Sequence, residues 1–262
     1  MDYQTIIVEE KNHVGYLMLN RPKQFNSLTL PMSEEIVSAL MAFNQNPEVK
    51  VIVLGATGNA FCTGMELSPN LFQDVNNINL GVVLEKYFKP IIDLILSIPK
   101  VVICAVNGTA AGAGASIPLL CDITIAAKSA SFTQIFSKMG LIPDGGATWF
   151  LPRMIGVAKA KALMLTAEKV SADEAEKLGM IYRVVEDDQL QQEVEKMAEH
   201  MATQATLSFA MIKQALNVSL QNNLETQLNL ERDLQLKAGQ SEDFFEAARA
   251  FMMKDKPNFK GR

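Results

Sequence analysis

An α/β fold is expected from this chain of 262 residues on three grounds. Val51-Ile52-Val53-Leu54, Val101-Val102-Ile103-Cys104-Ala105-Val106 and the run from Asp122 to Ala127 have the near-continuous apolar character of strands buried on both faces. Helical patterns separate them, and a β-α-β-α-β order implies a mostly parallel sheet with helices packed on it. From about residue 187 onward the chain reads as helical. At roughly 150 residues per domain, this suits an α/β core over 1–186 and a helical C-terminal region over 187–262.

In chain order, Thr5–Val8 and Val14–Leu19 read as strands joined by a turn. Pro31 and Ser33 open a helix with Ile36, Val37, Leu40 and Met41 on one face. The Val51 run stops at Gly55. Residues 66–80, rich in Asn and Ser and without periodicity, read as a mobile surface loop. A helix from about Gly81 to Leu96 precedes the Val101 strand, Asn107-Gly108 ends that strand, and the segment Gly112–Leu120 begins the next helix. In the C-terminal region Leu190, Val194, Met197 and Met201 form one helical stripe, and Phe244, Ala248, Phe251 and Met252 another. Leu224–Leu236 is a further leucine-rich helix. Such stripes build a core or a subunit interface.

Composition removes several classes. Lys plus Arg number 24 against 29 Asp plus Glu, a net charge of −5 that argues against a nucleic-acid binder. No run reaches the ~18 uncharged apolar residues of a membrane span. Met1-Asp2-Tyr3-Gln4 has neither the basic nor the apolar part of a secretory signal. Cys62, Cys104 and Cys121 are odd in number with apolar neighbours, as expected of reduced thiols in a cytoplasmic protein. The two histidines, His13 and His200, sit in no triad or zinc motif, and no metal or redox cofactor is implied.

Three segments carry candidate chemistry. Phe61-Cys62-Thr63-Gly64-Met65-Glu66-Leu67 follows the Val51 strand, and Asn107–Ser116 follows the Val101 strand. Both lie where α/β folds place ligands, and both are built of small residues that admit a close approach to the backbone. They are read as loops that could together donate two N–H groups to one oxygen; the structural alternative is close packing through Gly and Ala. Gly112-x-Gly114 lacks the third glycine of a dinucleotide fingerprint, and no Gly-x-Ser-x-Gly elbow is present. In the third segment, Gly140-Leu141-Ile142-Pro143-Asp144-Gly145-Gly146, Asp144 suits a turn or a helix cap. It also suits a carboxylate set against an apolar pocket, where desolvation raises its pKa toward base catalysis.

Together with Asn20-Arg21-Pro22-Lys23 and Pro257-Asn258-Phe259-Lys260, these segments, in this order, resemble the crotonase, or enoyl-CoA hydratase/isomerase, family over nearly the whole chain. The resemblance implies a repeated ββα core, a helical C-terminal trimerisation region, a homo-trimer or hexamer, and an acyl-CoA thioester substrate. Coenzyme A is then part of the substrate, with no separate cofactor. It implies that the N–H groups of Met65 and Ala113 form an oxyanion hole, within a substrate and CoA site that also includes Cys62, Thr63, Gly64, Glu66, Leu67, Gly112, Ser116 and Phe136. Lys23, Gln24 and Phe25 match the segment lining the CoA adenine and pantetheine. Phe259 and Lys260 match a pair that reaches CoA, often from a neighbouring subunit.

The departures narrow the reading. Hydratases of this family use two glutamates; those positions fall on Ser116 and Phe136, neither able to relay a proton as a carboxylate does. Asp144 is the nearest remaining acid. The runs Phe136–Asp144, Trp149–Arg153, Asn107–Ala115 and Leu230–Asp233 resemble the branch that isomerises a ring-1,2-epoxide of phenylacetyl-CoA in bacterial phenylacetate degradation. In that branch one aspartate at this position is the acid/base, and the enzyme also shifts 3-enoyl-CoA double bonds to the 2-position. The expectation is an acyl-CoA isomerase with Asp144 catalytic. The alternatives are an enoyl-CoA hydratase using Glu66 and a non-catalytic acyl-CoA-binding subunit. The loop after Glu66 and the helix from Gly81 to Leu96 are expected to shape the acyl pocket.

Overall fold

A computed structural model describes residues 2–66 and 79–262. The expected loop over 66–80 and the candidate Leu67 therefore lie mainly outside the described residues. β1 (Ile6–Lys11) and β2 (Val14–Leu19) form an antiparallel hairpin. Its two-residue turn, Asn12-His13, has φ values of 52° and 64°, the left-handed pair that matches strand twist. His13 is thus a turn residue.

A 3-10 turn over Pro22–Gln24 leads to α1 (Leu30–Gln45), capped by Thr29, whose hydroxyl accepts the Met32 N–H at 3.2 Å. Then come β3 (Val51–Ala56), β4 (Ala60–Cys62), α2 (Leu80–Val83), a π-helical turn over Leu84–Phe88, and α3 (Lys89–Ser97). Pro90 accounts for the widened turn: it has no N–H for the Lys86 carbonyl, and its ring crowds that group. β5 (Val101–Val106), β6 (Thr109–Ala111), α4 (Ala113–Leu120), β7 (Ile123–Ala127) and β8 (Ser131–Thr133) follow. A 3-10 stretch over Ile135–Met139 precedes α5 (Ala147–Ile155), α6 (Val157–Thr166), β9 (Lys169–Ser171), α7 (Ala172–Lys177) and β10 (Arg183–Val185). The C-terminal helices are α8 (Leu190–Ala202), α9 (Thr206–Ser219), α10 (Leu224–Ala238) and α11 (Glu242–Met253).

The strands make two sheets, β1-β2-β3-β5-β7-β10 and β4-β6-β8-β9. Apart from β1/β2 and β8/β9, neighbouring strands are parallel. Each long strand β3, β5 and β7 is followed by a short strand of the second sheet and then by helix, which is the repeated ββα unit. β4 and β6 correct the reading of their segments as loops: Ala60-Phe61-Cys62 and Thr109-Ala110-Ala111 are three-residue strands, too short for a strand period to show in sequence.

The division near residue 187 is one of composition, since α8 buries Leu190, Val194, Ala198 and Ala202 in the same core as β3 and β5. The stripe on α11 is not core within one chain: Phe251 is 86% exposed, with Phe244 and Met252 also exposed. Among the described residues no helix is long and apolar enough to cross a membrane.

Candidate active site

Two backbone segments meet beyond the carboxyl ends of β3 and β5. After β4 the chain forms an isolated parallel bridge between Met65 and Leu28. Leu28 N–H donates to Gly64 O at 2.7 Å, and Glu66 N–H donates to Leu28 O at 2.9 Å. This pattern uses the peptide groups flanking Met65 and turns Met65's own N–H away from Leu28. Ala113 opens α4, so its N–H has no acceptor within the helix. Among the described residues neither N–H has a protein acceptor.

Gly64 brings the two segments together. Its φ is +88°, and a Cβ there would stand 3.0 Å from the Ala111 carbonyl oxygen and 3.3 Å from Ala113 N. Any side chain would both strain the backbone and push the donors apart. Two free donors on adjoining segments can hold negative charge as it develops on one oxygen.

Asp144 sits on a turn whose central residues Gly145 and Gly146 have φ values of +62° and +79°. Ala147 N–H closes the turn on the Asp144 carbonyl at 3.1 Å. The residue is half-buried, and its Oδ1, itself buried, has no hydrogen-bond partner. Burial pushes this carboxyl up to about 6, because the charged form loses water and gains no donor. A carboxyl in that range is poised to take and return a proton near neutral pH.

One cavity of about 690 Å³ joins these groups. Thr63, Gly64, Met65, Gly112, Ala113, Phe136 and Asp144, all expected at the site, line it. Its apolar walls come from Val83, Leu84, Phe88 and Ile92 on the helical side and from Ile135, Met139, Leu141 and Ile142 opposite. The size and lining suit a small organic group held by a few polar contacts. Glu85 and Lys89 also line it, at exposed positions, and Lys89 is paired with Asp93 at 2.6 Å. The sequence reading expected this helix to shape the pocket but singled out neither residue.

Other expected residues stand elsewhere. The exposed Lys23-Gln24-Phe25 turn lies at the rim, where Thr63 Oγ1 donates to the Phe25 carbonyl at 3.3 Å. Asn26, which the sequence reading missed, fixes that turn: its amide donates to the carbonyls of Thr57 and Ala60, both at 2.8 Å, and accepts Arg21 N–H at 2.7 Å. A buried Asn among turn residues leaves no periodic signal.

Cys62, Glu66 and Ser116, expected to touch substrate, do not line the cavity. Cys62 is fully buried behind it, and burial pushes its thiol up to about 12. Glu66 Oε2 is held by Arg21 Nη2 at 2.6 Å and accepts Ser27 Oγ at 3.1 Å. Ser116 is fully buried and donates to the Asp144 carbonyl at 3.0 Å.

Phe259 and Lys260 lie at the far end of the sheet. Asp243 holds this tail by accepting the N–H groups of Lys260 and Gly261 at 2.6 and 2.8 Å, and Lys50 Nζ donates to the Lys260 carbonyl at 3.1 Å. Lys50 precedes β3, whereas the cavity lies beyond its other end; at ~3.3 Å per residue the strand alone separates them by roughly 17 Å.

A sequence profile of the enoyl-CoA hydratase/isomerase family matches residues 9–262. The chain belongs to this family. A 1,2-epoxyphenylacetyl-CoA isomerase of Escherichia coli (strain K12) is 42% identical over 98% of this chain and 98% of its own. A crotonyl-CoA hydratase of Syntrophomonas wolfei subsp. wolfei is 33% identical over 99% of each chain. Among solved structures, an enoyl-CoA hydratase from Bacillus anthracis superposes with a TM-score of 0.91 at 32% identity, covering 99% of this chain and all of that one. The crotonase α/β fold is therefore that of the chain. Both isomerases and hydratases occur among the relatives, so the family name leaves the reaction open between them.

Proposed function

We infer that this family member is an acyl-CoA isomerase working through a single carboxylate, Asp144. The observation that carries the reading is the desolvated Asp144 carboxyl in one cavity with the free N–H groups of Met65 and Ala113. The thioester oxygen of an enoyl-CoA would accept from both N–H groups. Ionised Asp144 would remove a proton α to the carbonyl, the charge would pass to the thioester oxygen, and the protonated carboxyl would return the proton farther along the chain. Losing one oxyanion donor typically costs about 3 kcal/mol of the barrier.

Hydration needs a second group to activate water. Of the two positions where hydratases of the family carry glutamate, Ser116 is buried with its hydroxyl engaged, and Phe136 is an apolar wall. Both favour isomerisation. The apolar cavity and the E. coli relative support a ring-1,2-epoxide of phenylacetyl-CoA, or a 3-enoyl-CoA, as substrate. CoA belongs to that substrate, and the proposed chemistry uses no other cofactor. The name of the S. wolfei relative favours the hydratase reading, but Glu66, its candidate acid, is tied to Arg21 and Ser27.

The test is ultraviolet absorbance with a trans-3-enoyl-CoA and, separately, crotonyl-CoA. Absorbance should rise with the first, as the double bond becomes conjugated, and hold steady with the second. A fall with crotonyl-CoA would establish hydration and overturn the reading. Binding without turnover of either thioester or of the ring-epoxide would leave an acyl-CoA-binding subunit.

The same assay gives a pH prediction. The base must be ionised, so kcat/KM should climb as pH rises through about 6 and level off above it. A flat profile across that range would remove Asp144 as the base.

The protein is further proposed to work as a homo-trimer or hexamer in the cytoplasm, where its three unpaired cysteines would stay reduced. Leu216, Leu224 and Phe251 on the C-terminal helices and Leu220 in the turn after α9 are all exposed in the single chain, and large exposed apolar side chains of this kind suit a subunit contact. Light scattering behind size exclusion should give at least three times the chain mass; a monomer at micromolar concentration would refute the assembly.

A further inference from the structure

We propose that Ser116 is a positioning residue that locks the proposed base to the proposed oxyanion hole. The inference rests on the reading of Asp144 as the base. Ser116 lies on α4 one helical turn after Ala113, whose N–H is a candidate oxyanion donor, so the two share a face of the helix. Its side chain is fully buried, and its hydroxyl donates to the Asp144 backbone carbonyl at 3.0 Å. The Gly112 carbonyl stands farther off, at 3.4 Å, and the single hydroxyl proton goes to the nearer acceptor.

The contact matters because little else holds Asp144. Its Oδ1 has no partner, so no donor steers that oxygen. What fixes the carboxyl is its backbone, which rests on the Ala147 N–H at one side and the Ser116 hydroxyl at the other. The Ala147 bond lies within the turn and moves with it. The Ser116 bond is the one that ties the turn to α4. Gly145 completes the fit: a Cβ there would come within 2.8 Å of Ser116 Cβ, so the turn is packed directly on this serine. A rigid path thus runs from the Ala113 N–H through one turn of α4 and the Ser116 hydroxyl to Asp144, and it sets the distance from oxyanion hole to base.

Proton transfer is sensitive to that distance, and a misplacement near 1 Å can cost about 100-fold. Ser116→Ala removes the hydroxyl with almost no change of volume. We expect kcat for isomerising a trans-3-enoyl-CoA to fall about 10- to 100-fold while KM stays within about threefold. Exchange of an α-deuterium into solvent should slow in parallel, since both steps need the carboxylate in place. Ser116→Cys keeps size and restores only a weak donor, so its kcat should lie between Ser116→Ala and the parent. A purely structural serine would instead lower the melting temperature and leave kcat and exchange intact. If Ser116→Ala turns over at the parental rate while Asp144→Asn is dead, the positioning role is wrong and the base assignment survives. If Asp144→Asn itself retains turnover, the base assignment fails first. Should Ser116→Ala not fold, Ser116→Cys with parental kcat and exchange would overturn the proposal by itself.

Discussion

Asp144→Asn is expected to abolish isomerisation while making the protein more stable. The amide keeps the shape of the side chain but cannot take a proton, and loss of a positioned general base typically costs about 10²- to 10⁴-fold. Acyl-CoA binding should persist, since the proposed oxyanion donors belong to the backbone of Met65 and Ala113.

The stability gain follows from linkage. The folded carboxyl is raised to about 6, above its unfolded value. The folded state therefore holds the proton more tightly, and stability is lost as pH rises through the folded value. At neutral pH the ionised side chain weakens the fold by up to about 3 kcal/mol at 1.36 kcal/mol per pKa unit. Asparagine never ionises, so the variant should melt higher than the parent at neutral pH, with the gap closing in acid. A variant that is both inactive and less stable would point to misfolding and take away the argument for a catalytic carboxylate. One that is active would exclude Asp144 from the mechanism.

Lys213→Ala should destabilise the fold by about 2–3 kcal/mol, because it removes a buried ammonium that serves two carbonyls and a partly solvated carboxylate. Lys213 is the buried residue of α9. Its Nζ donates to Asp122 Oδ2 at 2.9 Å, to the Ile95 carbonyl at 2.8 Å and to the Lys100 carbonyl at 3.3 Å. Asp122 Oδ2 also accepts the Val102 N–H at 2.8 Å, so this one pair ties α9 to the start of β5. Burial pushes the Asp122 carboxyl up, and the Lys213 ammonium opposes that shift. Removing the lysine takes the donor from the buried Ile95 carbonyl, from the part-buried Lys100 carbonyl and from the partly solvated Asp122 carboxylate. The double change Lys213→Met with Asp122→Asn removes both charges and should recover part of the loss. Urea unfolding of the three variants measures this; a single-variant loss under about 1 kcal/mol, the range of ordinary surface changes, would show that the pair contributes little.

The ββα core was partly legible from local pattern. Val51–Leu54, Val101–Val106 and Ile123–Ala127 are buried on both faces, and continuous apolar runs have few other homes in a soluble protein. The three-residue strands were not legible. Ala60–Cys62 and Thr109–Ala111 owe their extended form to parallel partners distant in sequence. The α11 stripe was visible, but within one chain Phe244 and Phe251 stay exposed rather than entering the core.

By itself the sequence determined which residues could do chemistry. The small-residue segments at Gly64 and Gly112, and one acid before two glycines, need only local backbone rules to stand out, because positive φ and close approach select glycine wherever they occur. Only the tertiary structure decided which of these residues meet. Glu66 and Ser116 looked as close to the site as Asp144, yet Glu66 turns to Arg21 and Ser116 to a carbonyl. Of the two carboxyls, that of Asp144 alone lines the cavity, its Oδ1 without a partner. Burial and partnership are sums over neighbours from the whole chain, and such sums, which set both a carboxyl's pKa and its reach, do not exist until the chain has folded.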